Sequence, residues 1–364
     1  MTERPDESRL LPDGEEAGSA PGDRRFRPDV EGLRAVAILL VVLFHAGVPH
    51  LQGGYVGVDV FFVISGFVIT GLLLRERSAS GGTALGAFYA RRARRILPAA
   101  VLVIVVTLLA TVLLLDPADA RIAASDGRWT AGFLANYHLA RVLPTILVVR
   151  FDPFGQFWSL AVEEQFYLVY PALFIGLLHV ARRIGTRSND VGRATLSVGL
   201  VVVTAASFAL AVSTSHLGLL GPYDSPFTRA WELSVGALVA IGSVELRRMP
   251  LVLAAVLTWI GMSMILFAAV AFNLLTVYPG YAAALPVIGA ALVIAAGTAE
   301  PPAGVESALR LTAFQWVGRW SYSWYLWHWP VLVLYFTYRS STLEGTPVII
   351  RLMLEVGALG LAVL

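Results

Sequence analysis

Cysteine and lysine are both missing from this chain of 364 residues, and charge of either sign is scarce. Without cysteine there is no disulfide, no thiolate nucleophile and no thiolate metal site. Without lysine there is no amine to form a Schiff base: every one of the 27 basic residues is arginine. Charged residues make up 14% of the chain, against about 25% in ordinary soluble domains. A formal net charge of +2 implies no nucleic-acid partner. No metal is expected.

Apolar residues fill the place that charge leaves. They account for 57% of the chain, and the mean hydropathy is +0.71. Runs of roughly 17–22 apolar residues recur, the length that crosses about 30 Å of hydrocarbon. The expected fold is an all-α, polytopic membrane helix bundle of about ten spans. They lie near 33–48, 56–74, 96–115, 157–180, 195–213, 227–243, 251–272, 281–297, 318–337 and 347–364. A weaker stretch, Trp129 to Val149, is broken by Asn136, His138, Arg141 and Pro144. It reads as a re-entrant or interfacial segment, tolerated only where protein or water covers its backbone.

Two domains follow. Residues 1–26 are polar and carry no apolar h-region of a signal peptide, so they read as a disordered tail. Residues 27–364 form the membrane-embedded domain. The last span runs to Leu364 without a polar flank, which reads as a cut inside or just after a helix. Arginine placement sets the orientation. The dense group Arg75, Arg77, Arg91, Arg92, Arg94 and Arg95 marks the cytoplasmic side, and Arg24, Arg25 and Arg27 put the N-terminus there too. Threading ten spans places Arg182, Arg183, Arg187, Arg247 and Arg248 inside as well, in what is expected to be the cytoplasmic membrane.

Ionisable residues inside apolar helices are costly and usually functional. Arg34 and His45 are eleven residues apart, about three helical turns, so they share a face with a rise of about 16 Å. Asp59 enters the next span near the depth of His45, where a carboxylate could fix the imidazole's tautomer. It could equally cap a helix at the interface. Glu163 and Glu164 lie about 10 Å into a span that starts at Phe157. Unpaired in lipid, each carboxylate would cost roughly 2–3 kcal/mol. An arginine such as Arg229 or Arg141 is one possible partner. The group Arg91, Arg92, Arg94 and Arg95 either sets topology and binds anionic lipid, or captures phosphate through bidentate guanidinium bonds. An aromatic run with Trp324 and His328 reaches mid-membrane and, with Trp158 and Tyr167, could wall a ligand cavity or simply pack. These features form an axis: arginines at the cytoplasmic mouth, His45 and His328 midway, Asp59 and Glu164 nearer the outside.

The strings Arg27-Pro28-Asp29-Val30-Glu31-Gly32-Leu33-Arg34-Ala35-Val36-Ala37 with His45, GGYVGVDVFFVISGFVIT, FWSLAVEEQFYLVYP and RWSYSWYLWHWP resemble the acyltransferase 3 family, over about residues 27–364. The resemblance implies an inner-membrane O-acyltransferase that modifies extracytoplasmic glycans, with acetyl-CoA or another acyl-CoA as co-substrate. The family's Arg-x10-His signature falls on Arg34 and His45. Its arginine motif falls on Arg92 and Arg95, with Arg94 nearby. Its acidic position falls on Glu164 or its neighbour Glu163. Many relatives carry an SGNH hydrolase-like domain further on, and this chain stops before any such domain. The expected mechanism has Arg34, Arg92, Arg94 and Arg95 hold the CoA phosphates. His45 is the general base on an acceptor hydroxyl, oriented by Asp59 or Glu164. A cell-envelope glycan or lipid-linked sugar is the expected acceptor. A macrolide or other small molecule, a proton-coupled transporter and a module that loads acyl groups onto a partner domain are the competing readings.

Overall fold

The computed structural model describes residues 26–80, 84–142, 151–183, 189–215, 223–340 and 345–363. All of the tail except Phe26, the whole of the stretch from Pro144 to Val149, and Arg187 lie outside the described residues. Fourteen α-helices run through them: α1 (Pro28–His45), α2 (Gly57–Ser80), α3 (Leu85–Leu114), α4 (Pro117–Ala131), α5 (Ala135–Val142), α6 (Phe157–Arg183), α7 (Asn189–Ser215), α8 (Pro226–Ile241), α9 (Ser243–Leu246), α10 (Leu251–Ala271), α11 (Ala284–Gly297), α12 (Glu306–Leu309), α13 (Thr312–Tyr338) and α14 (Val348–Val363). No strand occurs among the described residues.

Each of the ten expected spans coincides with one of these helices. Five stretches are by themselves long and apolar enough to cross a membrane: Gly54–Ala79, Leu85–Leu114, Phe157–Arg183, Val191–Ser215 and Leu251–Ala271. Their outward faces are apolar. Val101, Leu102, Leu109 and Leu113 on α3, Val198 and Val202 on α7, and Val252 and Phe267 on α10 are all exposed. A continuous apolar exterior of this kind suits lipid and not water. The protein is a multi-pass membrane protein. After α3 the described residues form two short polar helices, α4 and α5, and the interrupted stretch begins at the end of α4 and takes in α5. Asp116 caps α4 by accepting from the Ala118 and Asp119 amides.

Helix approach is set by small residues. A Cβ at Gly66 on α2 would collide with the Leu233 carbonyl of α8, and one at Gly236 on α8 would collide with the Val63 carbonyl of α2. The two backbones therefore touch directly, as small residues permit between membrane helices. Gly318 on α13 meets the Glu31 backbone of α1 in the same way. Those contacts pair α2 with α8 and α1 with α13.

Pro330 shapes the next joint. It has no N–H to give the Leu326 carbonyl four residues earlier in α13. Gln156, at the start of α6, donates its Nε2 to that carbonyl at 2.9 Å. Tyr325 Oη also bonds Ser159 Oγ at 2.6 Å and the Gln156 carbonyl at 3.1 Å. The gap that proline leaves in one helix thus becomes the seat of another.

Candidate active site

Between α1, α2, α3, α6 and α13 lies a cavity of about 840 Å³, counted with its open mouth. Arg34, Arg92 and Arg95 line it, with Ser65, Ser159, Glu163, Glu164, Tyr167, Ser321, Tyr322 and Tyr325. Three guanidiniums face two carboxylates, so the cavity carries a net positive field.

Two of the arginines, Arg34 and Arg92, are held from behind. Arg34 donates Nε and Nη2 to Ser321 Oγ at 3.1 and 2.9 Å. Arg92 sits with its guanidinium 3.4 Å from the Tyr167 ring centroid. Its Nη2 lies 3.5 Å from Glu164 Oε1 and 3.9 Å from Glu163 Oε1. Glu163 accepts from Ser65 Oγ at 2.6 Å and from the Tyr167 hydroxyl. Arg92 therefore lies inside the bundle, only 17% exposed, and not at its rim. Arg92 and Arg95, one turn apart, share the cavity face of α3. Arg91 turns outward to Glu76 at 2.9 Å, and Arg94 is exposed and absent from the lining.

Two histidines stand behind Tyr325, outside the lining: the Tyr325 and His328 rings are 5.3 Å apart. His328 Nε2 and His45 Nδ1 are 3.2 Å apart, and His328 Nδ1 is 2.7 Å from the Tyr325 carbonyl. His328 is fully buried, and His45 is partly exposed. Trp329 packs against His45 with ring centroids 4.9 Å apart.

The expected acidic partner of His45 is placed elsewhere. Asp59 accepts from Arg229 Nη1 at 3.0 Å, and the same nitrogen donates to Glu232 Oε1 at 2.8 Å. Arg229 Nε donates to the Tyr223 carbonyl at 2.9 Å, and the rings of Trp158, Tyr223 and Tyr278 surround its guanidinium at 4.6–5.4 Å. All three charged groups are buried at 1% exposure or less. A buried carboxylate takes the nearest fixed cation, which here is Arg229 and not an imidazole. Glu164 likewise faces Arg92 and not a histidine. It stands at the arginine level of the axis and not nearer the outside.

Of the four side chains expected to wall a cavity, Tyr167 lines it and His328 stands against His45. Trp158 packs against Phe62 and Arg229, and Trp324 donates to the Glu355 carbonyl at 3.2 Å. Sequence reasoning did not single out Ser159, Ser321 or Tyr325, which carry no signal beyond helical register. The Arg229–Glu232 pair was legible as an i, i+3 charge pair within one apolar helix. Among the described residues no three His, Cys, Asp or Glu side chains gather to hold a metal.

The multi-pass bundle thus holds an internal cavity lined by three guanidiniums, with a histidine pair one aromatic ring beyond it. The sequence model of the acyltransferase 3 family, described as an acyltransferase domain, matches residues 27–364, and the chain belongs to this family. It is similar to the peptidoglycan O-acetyltransferase OatA of Listeria monocytogenes, 28% identical over 92% of this chain and 53% of that protein. It is also similar to the "Putative peptidoglycan O-acetyltransferase YrhL" of Bacillus subtilis, 29% identical over 91% of this chain and 52% of the relative. The "Putative O-acetyltransferase SAS0844" of Staphylococcus aureus is 29% identical over 86% of this chain and 52% of its own length. The chain spans about half the length of these relatives. No solved structure matches it.

Proposed function

We propose that this chain is an O-acyltransferase of the cytoplasmic membrane, with ten spans and a cytoplasmic N-terminus. It moves an acyl group, acetyl in the first instance, from cytoplasmic acyl-CoA to a hydroxyl of an extracytoplasmic envelope glycan. The observation that carries the reading is the cavity that gathers Arg34, Arg92 and Arg95, with Tyr325 of its lining 5.3 Å, ring to ring, from His328 of the His328–His45 pair. The relatives named as O-acetyltransferases support it.

Guanidinium groups recognise phosphate oxygens bidentately. Arg92 and Arg95 take the phosphates of the CoA portion, with Arg34 deeper along the path. Glu164 and Tyr167 hold Arg92 in place and take no part in the chemistry.

The hydrogen bonds support His45 as the base. A carbonyl only accepts, so His328 Nδ1 must carry a proton to bond Tyr325. With both rings neutral, His328 Nε2 is an acceptor, and His45 Nδ1 must be the donor to it. That leaves His45 Nε2 with the unshared lone pair. His328 does for His45 what a carboxylate does in a hydrolytic triad. His45 Nε2 takes the proton of the acceptor hydroxyl as its oxygen attacks the thioester carbonyl. The new C–O bond forms and the C–S bond breaks. His45 returns the proton to the departing sulfur, so the products are the O-acyl ester and the CoA thiol.

The test is acyl-CoA turnover by the protein in nanodiscs, read as free thiol. Replacing Arg92 and Arg95 together by alanine is expected to raise the KM for acetyl-CoA by roughly tenfold to hundredfold, since each loses charge-assisted bonds. An unchanged donor KM would sink the assignment of this cavity to CoA.

A further inference from the structure

We infer that the rings of Phe61 and Tyr325 form an acyl-length filter, which passes an acetyl group and turns back longer acyl chains. This deepens the transferase reading above and rests on it. It names a short-chain acyl-CoA as the donor and Phe61 as the residue that selects it.

The cavity is built in two layers, one helical turn apart. In the first layer Ser321 of α13 holds Arg34, and Ser65 of α2 donates to Glu163 of α6. Four residues away on each of these helices, a rise of about 6 Å, stands the second layer. Its members are Tyr325 on α13, Phe61 on α2 and Ser159 on α6, and all three line the cavity. This layer closes on itself. Tyr325 Oη bonds Ser159 Oγ at 2.6 Å, and the Phe61 ring meets the Tyr325 ring edge-on, with centroids 6.2 Å apart. His328 follows Tyr325 by three residues, and their rings are 5.3 Å apart. Along α13 the order is therefore Ser321 at the guanidinium, Tyr325 at the partition and His328 at the histidine pair.

The two layers differ in chemistry. The first is charged and hydroxylated. The second presents hydrocarbon, because the Tyr325 hydroxyl is already engaged by Ser159 and by the Gln156 carbonyl at 3.1 Å. Val58, Phe62 and Leu160 add apolar lining. In the proposed reaction the guanidiniums hold the CoA phosphates while the acyl carbon comes to His45, so the acyl end is what meets the second layer. Rings with centroids 6.2 Å apart are in contact, and they have to part to let it through. Tyr325 is pinned at its hydroxyl. Phe61 has no polar anchor and is half-buried, so it is the ring that yields. An acetyl methyl asks for the smallest displacement. Each methylene that an apolar site does not accommodate lowers kcat/KM by roughly 10–200-fold.

The experiment is free-thiol release by the protein in nanodiscs with acetyl-, butyryl- and hexanoyl-CoA as donors. Wild type is compared with Phe61→Ala and with the milder Phe61→Leu, and melting temperatures show which variants are folded. In wild type, kcat/KM is expected to fall at least about tenfold from acetyl to butyryl and further to hexanoyl. Phe61→Ala should raise the hexanoyl-to-acetyl ratio of kcat/KM by about tenfold or more, and Phe61→Leu by less. The acetyl-CoA KM should stay put, since the arginines are untouched. If Phe61→Ala does not fold, the ratio in Phe61→Leu decides. A ratio unmoved in the folded variants overturns the filter, and so does an equal loss on all three donors, which would assign Phe61 to packing. A wild type that uses all three donors equally well overturns the filter and leaves the transferase reading standing. A wild type that consumes none of them overturns the transferase reading itself.

Discussion

His45→Ala is expected to lower the kcat for acyl transfer by about 10²–10⁴-fold while leaving the acetyl-CoA KM nearly unchanged. Arg34, Arg92 and Arg95 remain in place in this variant, so donor binding has no reason to fall. The assay is thiol release in nanodiscs. The companion variants are at His328, because the tautomer of His45 depends on an acceptor at its Nδ1. Gln at position 328 can present an amide oxygen near the place of Nε2, whereas Leu of similar bulk cannot. The His328→Gln variant should keep much of the kcat, and His328→Leu should approach His45→Ala. The pH–rate profile should also move in His328→Leu, since the base loses the partner that shares its charge. Full activity in His45→Ala would remove the base assignment. Equal loss in both His328 variants, with an unmoved profile, would reduce His328 to packing.

Arg229→Met is expected to be among the most destabilising single changes in the chain, by about 3–5 kcal/mol. The change removes the only cation within reach of Asp59 and Glu232 among the described residues, and both carboxylates are buried at 1% exposure or less. Three aromatic rings also lose their cation. The measurement is the melting temperature in detergent and in nanodiscs. Adding Asp59→Asn and Glu232→Gln to Arg229→Met should recover part of the loss, because no unpaired charge then remains. A wild-type melting temperature for Arg229→Met would show that this network does not hold α2 to α8.

Much of the fold is written in the residues because hydropathy responds to lipid over a whole helix. Val101, Leu109 and Leu113 announce α3 whatever surrounds them. The site is legible only in part. Arg34 and His45 share a face by periodicity alone, and the motifs drew attention to Arg92, Arg95 and Glu164. Pairing between helices is a different kind of information. Nothing in the local sequence tells Asp59 that Arg229, 170 positions away, stands nearer than His45. Nothing tells Glu164 that its cation comes from α3 and not from Arg229 or Arg141. The one visible hint was Pro330. A proline two residues after His328 leaves the Leu326 carbonyl without its helical donor, and such a carbonyl seeks a partner from outside.

The exclusive use of arginine has a chemical consequence for a cavity that is proposed to hold a thioester. A lysine ammonium is in equilibrium with a free amine, and a free amine attacks acyl-CoA directly. A guanidinium stays protonated throughout the accessible pH range and is not a nucleophile. Arg34, Arg92 and Arg95 can therefore grip an activated acyl donor turn after turn without becoming acylated themselves. Cysteine, the other residue that would intercept the acyl group, is absent as well. On the acyl-CoA proposal, histidine is then the nitrogen nucleophile left among the side chains to meet the donor, so the same composition that lets the chain sit in lipid would also spare it from acylation by the substrate proposed for it.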